Sequence, residues 1–353
     1  MAALSFNNIF RTTIQQCMAP GGNNTTILVT GAPGGGKSAC QMKAARQLAK
    51  EKGIPAERIV VFNPSLRDPV DIMGIPFKSE DGTHSRWLPP EEFWNLRDGV
   101  GPCILVIEEL SDAPMAMQNP LCRVILDRYA GNLKLSDELI ILANGNRVED
   151  RSGANRLSTK LANRLCILEF KESVDDWVAW AKGEGNIKDE VVTFIQYRPN
   201  LLSDFDPKRS VNPTPRAWEA VSRIPEFDDD KDGFLYFSYV AGLVGEGAAH
   251  EYCAYRKIWR SLPDFTKLLA DPMKYEIPTD LAVLYATVLK LVSTINSKTA
   301  PKDVDAALTY INRVAPDLKA MAISDLMANP EAFNVVVQSK VFVTLSKGLK
   351  LGF

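Results

Sequence analysis

Along the first half of the chain, short apolar runs alternate with stretches of helical periodicity. "TTILVTG" (25–31) is bounded by polar residues and glycine and predicts a buried strand. "RIVVFN" (58–63), "CILVIEEL" (103–110), "ELIILANGN" (138–146) and "LCILEF" (165–170) predict four more. Between them, "KSACQMKAARQLAKEKG" places Ala, Met and Leu at helical spacing and stops at Gly53. Continuous apolar strands separated by helices predict a parallel sheet covered on both faces. "SEDGTHSRWLPP" (79–90) and "YAGNLKLSDE" (129–138) have turn residues flanked by extended ones, the pattern of hairpins. Beyond residue 172 the strand signal fades. "SVDDWVAWAKGEG" opens with a capping residue and predicts a helix. Helical patterns then recur over 214–224, 234–260, 280–296, 302–312, 315–327 and 330–347. The chain thus divides into an α/β domain over 1–172, a connector over 173–205 and a mostly helical region over 206–353.

Composition narrows the class without changing that outline. The chain has 353 residues, 46% hydrophobic and 24% charged, enough apolar material for sizeable cores. A net charge of −2 supplies no global field toward nucleic acid or an anionic membrane. No apolar run approaches a membrane span, and "MAALSFNNIFRTTIQQ" lacks the charged start and apolar core of a secretory signal. The six cysteines are scattered, and Cys103, Cys122 and Cys166 sit among apolar neighbours, which predicts small buried residues in a reducing cytoplasm. With only His84 and His250 present, a histidine-rich metal site or a Ser-His-Asp triad is disfavoured.

One stretch carries specific chemistry. Gly31-Ala32-Pro33-Gly34-Gly35-Gly36-Lys37-Ser38 fits G-x-x-x-x-G-K-[ST], directly after a strand pattern and opening a helix pattern. Phosphates are held when several backbone N–H groups converge on one concavity, and residues without a Cβ let the chain curl that tightly. The positive end of the following helix adds attraction. Lys37 then reaches the outer phosphates, and the Ser38 hydroxyl is a ligand for Mg²⁺. The strand "ILVIEEL" ends in Glu108 and Glu109. Two adjacent acids at the end of an apolar strand are costly unless they face a cation or solvent. Opposite a phosphate loop, one acid serves the metal and the other polarises an attacking water.

In this order of motifs — phosphate loop, strand-Glu-Glu, strand-ending asparagine, "LANRL" — the chain resembles an AAA+ ATPase, and the finer text resembles the MoxR branch. "NPSLRDPVDIMGIPF" (63–77) stands where that branch has a DLxG segment. Gly101-Pro102 precedes the acidic strand, Ser111-Asp112-Ala113-Pro114 with Gln118 and Leu121 follows it, and "TPRAWEAV" (214–221) matches the start of a lid helix. The resemblance covers roughly residues 24–225 and leaves about the last 125 unmatched. It implies ATP with Mg²⁺, with Lys37 and Ser38 on phosphate and metal and Glu108 at the usual aspartate position. Glu109 is then the catalytic base, and Asn146, with Asn144 as alternate, orients the water. Arg164 is the finger inserted into a neighbouring subunit's site, with Arg156 as its rival, and Arg216 is the lid arginine. Arg147, Arg151 and Arg156 otherwise read as a solvated loop. The family implies a ring, typically of six, acting on a protein client, at times with a von Willebrand A-domain partner, and hairpins facing a pore. Two alternatives stand beside it: a nucleic-acid motor, which the acidic balance disfavours, and an ATP-gated scaffold with little hydrolysis, prompted by Glu108.

Overall fold

In a computed structural model of the chain, residues 3–150, 155, 157–227, 229–262 and 265–348 are described, and they form two compact units. The first comprises Met1–Asp176 with Phe205–Ser210, the second Trp177–Asp204 with Val211–Phe353.

The first unit is built on nine strands: β1 (Thr26–Gly31), β2 (Ile59–Phe62), β3 (Ile75–Lys78), β4 (Ser85–Leu88), β5 (Cys103–Ile107), β6 (Tyr129–Ala130), β7 (Leu133–Lys134), β8 (Leu139–Asn146) and β9 (Leu165–Glu169). Five of them form an all-parallel sheet in the order β2-β5-β8-β1-β9. The alternation of side chains assigns its two faces. Ile104, Val106, Ile140 and Leu142 pack on Ala44, Ala45 and Leu48 of the helix Lys37–Lys52 and beside Ile14 and Cys17 of the helix Phe6–Met18. Leu105, Ile107, Ile141 and Ala143 face the other way, onto Phe93, Leu96, Met117, Leu121 and Leu161. Because both faces are covered, these strands carry apolar residues without alternation.

The register sets the strand ends level. Gly31 pairs with Asn146, Phe62 with Ile107, and Thr30 with Glu169. The segments that leave β1, β2, β5 and β8 therefore emerge at one carboxyl edge, where open α/β sheets bind their ligands. Two small antiparallel ribbons form: β6–β7 lies within 129–138, whereas of β3–β4 only β4 falls within 79–90 and its partner β3 precedes that stretch. In β3–β4 every residue of both strands is exposed.

The second unit is helical. Its helices include Asp189–Tyr197, Pro215–Ser222, Asp229–Val244, Glu246–Ser261, Leu281–Ser293, Pro301–Ile311 and Pro316–Ala328. Phe194, Trp218 and Tyr252 form an aromatic knot with ring centroids 5.3–5.6 Å apart, and the indole N–H of Trp218 donates to the Leu201 carbonyl at 2.6 Å.

Several local expectations change. The run 234–260 is two helices, because Gly245 at φ 84° breaks it. The run 330–347 also divides, into Pro330–Val336 and Lys340–Gly348. Asp189–Tyr197, with Glu190 through Gln196 all buried, lies inside the stretch read as a connector. The helix Phe6–Met18 was not anticipated, although Ile9, Thr13 and Cys17 already mark its buried stripe. Cys166 is exposed, not buried, because β9 is the sheet's edge strand and apolar sequence neighbours cannot cover it; Cys103 and Cys122 are buried.

Candidate nucleotide site

Local chain chemistry bends residues 31–38 into a cradle. Gly34 at φ 77° and Gly36 at φ 107° adopt left-handed backbone that a side chain would strain. Gly36 caps the helix Lys37–Lys52, so the first N–H groups of that helix open into the loop. Gly31 ends β1 close against the next segment: a Cβ there would lie 2.9 Å from the Phe170 carbonyl oxygen. Ala32 is buried, while Pro33 is half-buried. This geometry suits a phosphate group at the helix N-terminus.

Lys37 is 7% exposed, and its ammonium is held inside the cradle. Nζ donates to the carbonyls of Gly31 (2.8 Å) and Ala32 (2.7 Å) and to Asn146 Oδ1 (3.1 Å). The lysine behind the glycines and the asparagine at the end of β8 therefore meet directly.

The two adjacent glutamates diverge. Glu109 turns into left-handed backbone (φ 52°, ψ 39°), which ends the strand and separates its side chain from that of Glu108. Glu108 Oε2 accepts from the Ser38 hydroxyl and from Asn144 Nδ2 (2.8 Å). Glu109 Oε2 accepts from Asn63 Nδ2 and Ser65 Oγ, both at 3.0 Å, while its own N–H donates to Asn144 Oδ1 (3.1 Å). A hydroxyl and a carboxylate already in contact form an oxygen donor set of the kind Mg²⁺ takes alongside substrate phosphates. Among the described residues no three His, Cys, Asp or Glu side chains converge into a protein-only cage.

Asn146 is gripped at three points. Its N–H donates to Ser111 Oγ (2.7 Å), its Nδ2 donates to Asp112 Oδ2 (3.2 Å), and its Oδ1 faces Lys37. Ser111 Oγ in turn donates to Asp112 Oδ1 at 2.7 Å. Gly145 lets this happen, since a Cβ there would lie 2.7 Å from Ser111 Oγ.

The remaining sequence-predicted residues lie elsewhere. Arg164 is exposed in the turn between the helix Thr159–Ala162 and β9. Arg216 is exposed in the first turn of the helix Pro215–Ser222, in the second unit. Arg147 is not a solvated loop residue. It donates to both carboxylate oxygens of Asp150 (3.0 and 3.1 Å) and to Glu169 (3.3 Å), and the Asp150 bonds raise its pKa further. Arg151 and Arg156 lie outside the described residues.

Sequence reading missed Asn63, Ser65, Ser111 and Asp112 and held Asn144 only as an alternate. One signal was available: "NPS" directly after an apolar strand is an asparagine turn, and here Asn63 Oδ1 accepts from the Ser65 N–H (3.0 Å).

No known family profile matches the chain, and no curated protein does. Among solved structures, NtrX from Brucella abortus is 15% identical, covering 92% of this chain and 69% of that one, with a TM-score of 0.40. A RuvB point mutant of Thermotoga maritima is 16% identical over 74% and 77%, with a TM-score of 0.40. Domain III of the Thermotoga maritima replication initiation protein DnaA is 14% identical over 69% and 89%, with a TM-score of 0.39. The fold class rests on the chain's own geometry. A glycine-rich loop leaves one strand of a β2-β5-β8-β1-β9 parallel sheet with helices on both faces, and a helical C-terminal region follows: the chain has a P-loop α/β fold with a helical second unit.

Proposed function

We propose that the protein binds ATP with Mg²⁺ at the cradle and hydrolyses it, as a ring-forming AAA+ ATPase of MoxR type that remodels or matures a protein partner. The observation that carries this reading is the meeting of Lys37 with Asn146 and of Ser38 with Glu108 at one strand edge. Neither contact is local in sequence, and each joins a phosphate-loop residue to a group the chemistry requires.

In this reading the amides of 34–38 and the Lys37 ammonium hold the outer phosphates. Mg²⁺, held by Ser38 and served by Glu108, supplies charge neutralisation on those phosphates. Glu109 accepts the proton of the attacking water, and Asn146 orients that water. Arg164, exposed on the first unit, reaches the site of an adjoining copy and offsets charge on the transferred phosphoryl, which makes turnover depend on assembly. Arg216, exposed in the first turn of its helix in the second unit, is the lid arginine of this reading. The exposed β3–β4 ribbon is the element available to grip a client.

Steady-state phosphate release tests the reading. Wild type turns over, and Glu109→Gln and Arg164→Ala bind nucleotide yet do not. Equal inertness of wild type and Glu109→Gln leaves the ATP-gated scaffold as the correct description. Stimulation by DNA indicates a nucleic-acid motor. Capture of a protein client by the Glu109→Gln form supports remodelling.

A further inference from the structure

Three glycines follow Pro33, and backbone geometry accounts for two of them. Gly34 and Gly36 are left-handed; Gly35 is not among the residues with positive φ. Its reason is steric. A Cβ on Gly35 would stand 2.2 Å from Glu172 Oε1, 3.1 Å from Glu172 Cδ and 3.2 Å from Phe170 Cε1. The carboxylate of Glu172 rests directly on the phosphate loop.

That placement is built into the backbone. The Phe170 N–H donates to the Thr30 carbonyl (2.7 Å) and the Lys171 N–H to the Leu4 carbonyl (2.9 Å), pinning the segment after β9 beside β1. Glu172 Oε1 is shut off from solvent and has no hydrogen-bond partner among the described residues. Shutting one carboxylate oxygen away without a hydrogen bond is costly, even though Glu172 as a whole is only half-buried.

We infer that Glu172 is an affinity-setting residue whose carboxylate, packed on the loop at Gly35, opposes the phosphates and weakens nucleotide retention. The inference rests on the nucleotide reading above. Like charges on the two sides of the loop repel, and the penalty grows with ligand charge. Product ADP without metal is therefore held less tightly than the cradle alone would hold it. Gly35 is the matching half of the device, since any side chain there would displace the carboxylate.

Calorimetric titration of the full chain with ADP in chelator-containing buffer tests this. Glu172→Gln tightens ADP about five-fold at low ionic strength, and the gain shrinks at high salt. Glu51→Gln, an exposed acid in the last turn of the helix Lys37–Lys52, changes nothing. Gly35→Ala, whose methyl group displaces the carboxylate, tightens ADP as Glu172→Gln does, and the double variant Gly35→Ala with Glu172→Gln gains nothing further. Unchanged or weaker binding by Glu172→Gln, or Gly35→Ala binding like wild type, overturns the inference and leaves the nucleotide reading intact. No ADP binding by any form overturns both.

Discussion

Asn63 donates its side-chain amide to Glu109 across the ends of two neighbouring strands, at 3.0 Å. The same carboxylate oxygen accepts from Ser65 Oγ, also at 3.0 Å. Asn63 leaves β2 one residue after Phe62, whose register partner is Ile107, so pairing of β2 with β5 delivers the amide to the glutamate.

A base accepts a proton through lone pairs, and those of Glu109 Oε2 are engaged by the Asn63 amide and by the Ser65 hydroxyl, whose single proton Asn63 Oδ1 (2.7 Å) also competes for. Releasing them frees the carboxylate for water. Asn63→Ala combined with Ser65→Ala is expected to raise basal ATP turnover roughly ten-fold, the scale of one hydrogen bond to a charged group. ADP affinity stays unchanged, since neither residue belongs to the cradle. Turnover below wild type would show instead that the pair holds Glu109 in its working position.

Asp112 offers a different handle. It fixes the Asn146 amide so that Nδ2 points to Asp112 and Oδ1 to Lys37. Asp112→Ala leaves the amide free to rotate and is expected to lower kcat by about ten- to a hundred-fold, the usual cost of misplacing a group that positions a reactant. KM stays near wild type. Asp112→Asn, which keeps an acceptor, retains part of the rate. A fall in affinity with kcat intact would assign Asp112 to binding.

The parallel sheet and the phosphate loop were legible because each is written locally. Apolar runs such as "ILVIEEL" are strands on their own evidence, and Gly31 to Ser38 form one contiguous cradle. What escaped was set by register. Nothing in the sequence near Asn63 states that β2 pairs with β5, so its contact with Glu109 was invisible. The Ser111–Asp112 grip on Asn146 likewise depends on β5 lying beside β8. The break at Gly245 was missed for the opposite reason: apolar periodicity runs on through it and masks the change of direction.

The cysteines divide sharply by burial. Burial pushes the Cys17 and Cys103 thiols up to about 11 and the Cys40 thiol up to about 12, so few thiolates form there at mildly alkaline pH. Cys166 is exposed on the edge strand and Cys253 is half-buried. Alkylation of the folded protein followed by peptide mapping is expected to label Cys166 first and Cys253 next, with Cys17, Cys40 and Cys103 reacting only as the first unit opens. Early labelling of Cys40 would show that the helix Lys37–Lys52 is not packed on Phe6–Met18 as described.

In the helical unit, acid should act through Glu226. Hydrogen bonds from Lys188 and Arg260 depress its pKa from 4.5 to about 2. Lys188 Nζ reaches Oε1 at 2.9 Å, and Arg260 holds Oε2. A carboxyl more acidic in the folded than in the unfolded chain binds fewer protons when folded, so it adds stability above its ordinary value. That contribution is lost as pH falls from 4.5 to about 2. Glu226 is 61% exposed, so solvent screening keeps the effect well below that of a buried pair. Thermal melts of wild type and Glu226→Gln across this range isolate it from the other acids. The variant is expected to melt lower near neutral pH and to converge with wild type as the pH approaches 2. A gap that persists undiminished at the acid end would mean that Glu226 contributes by packing and not by charge.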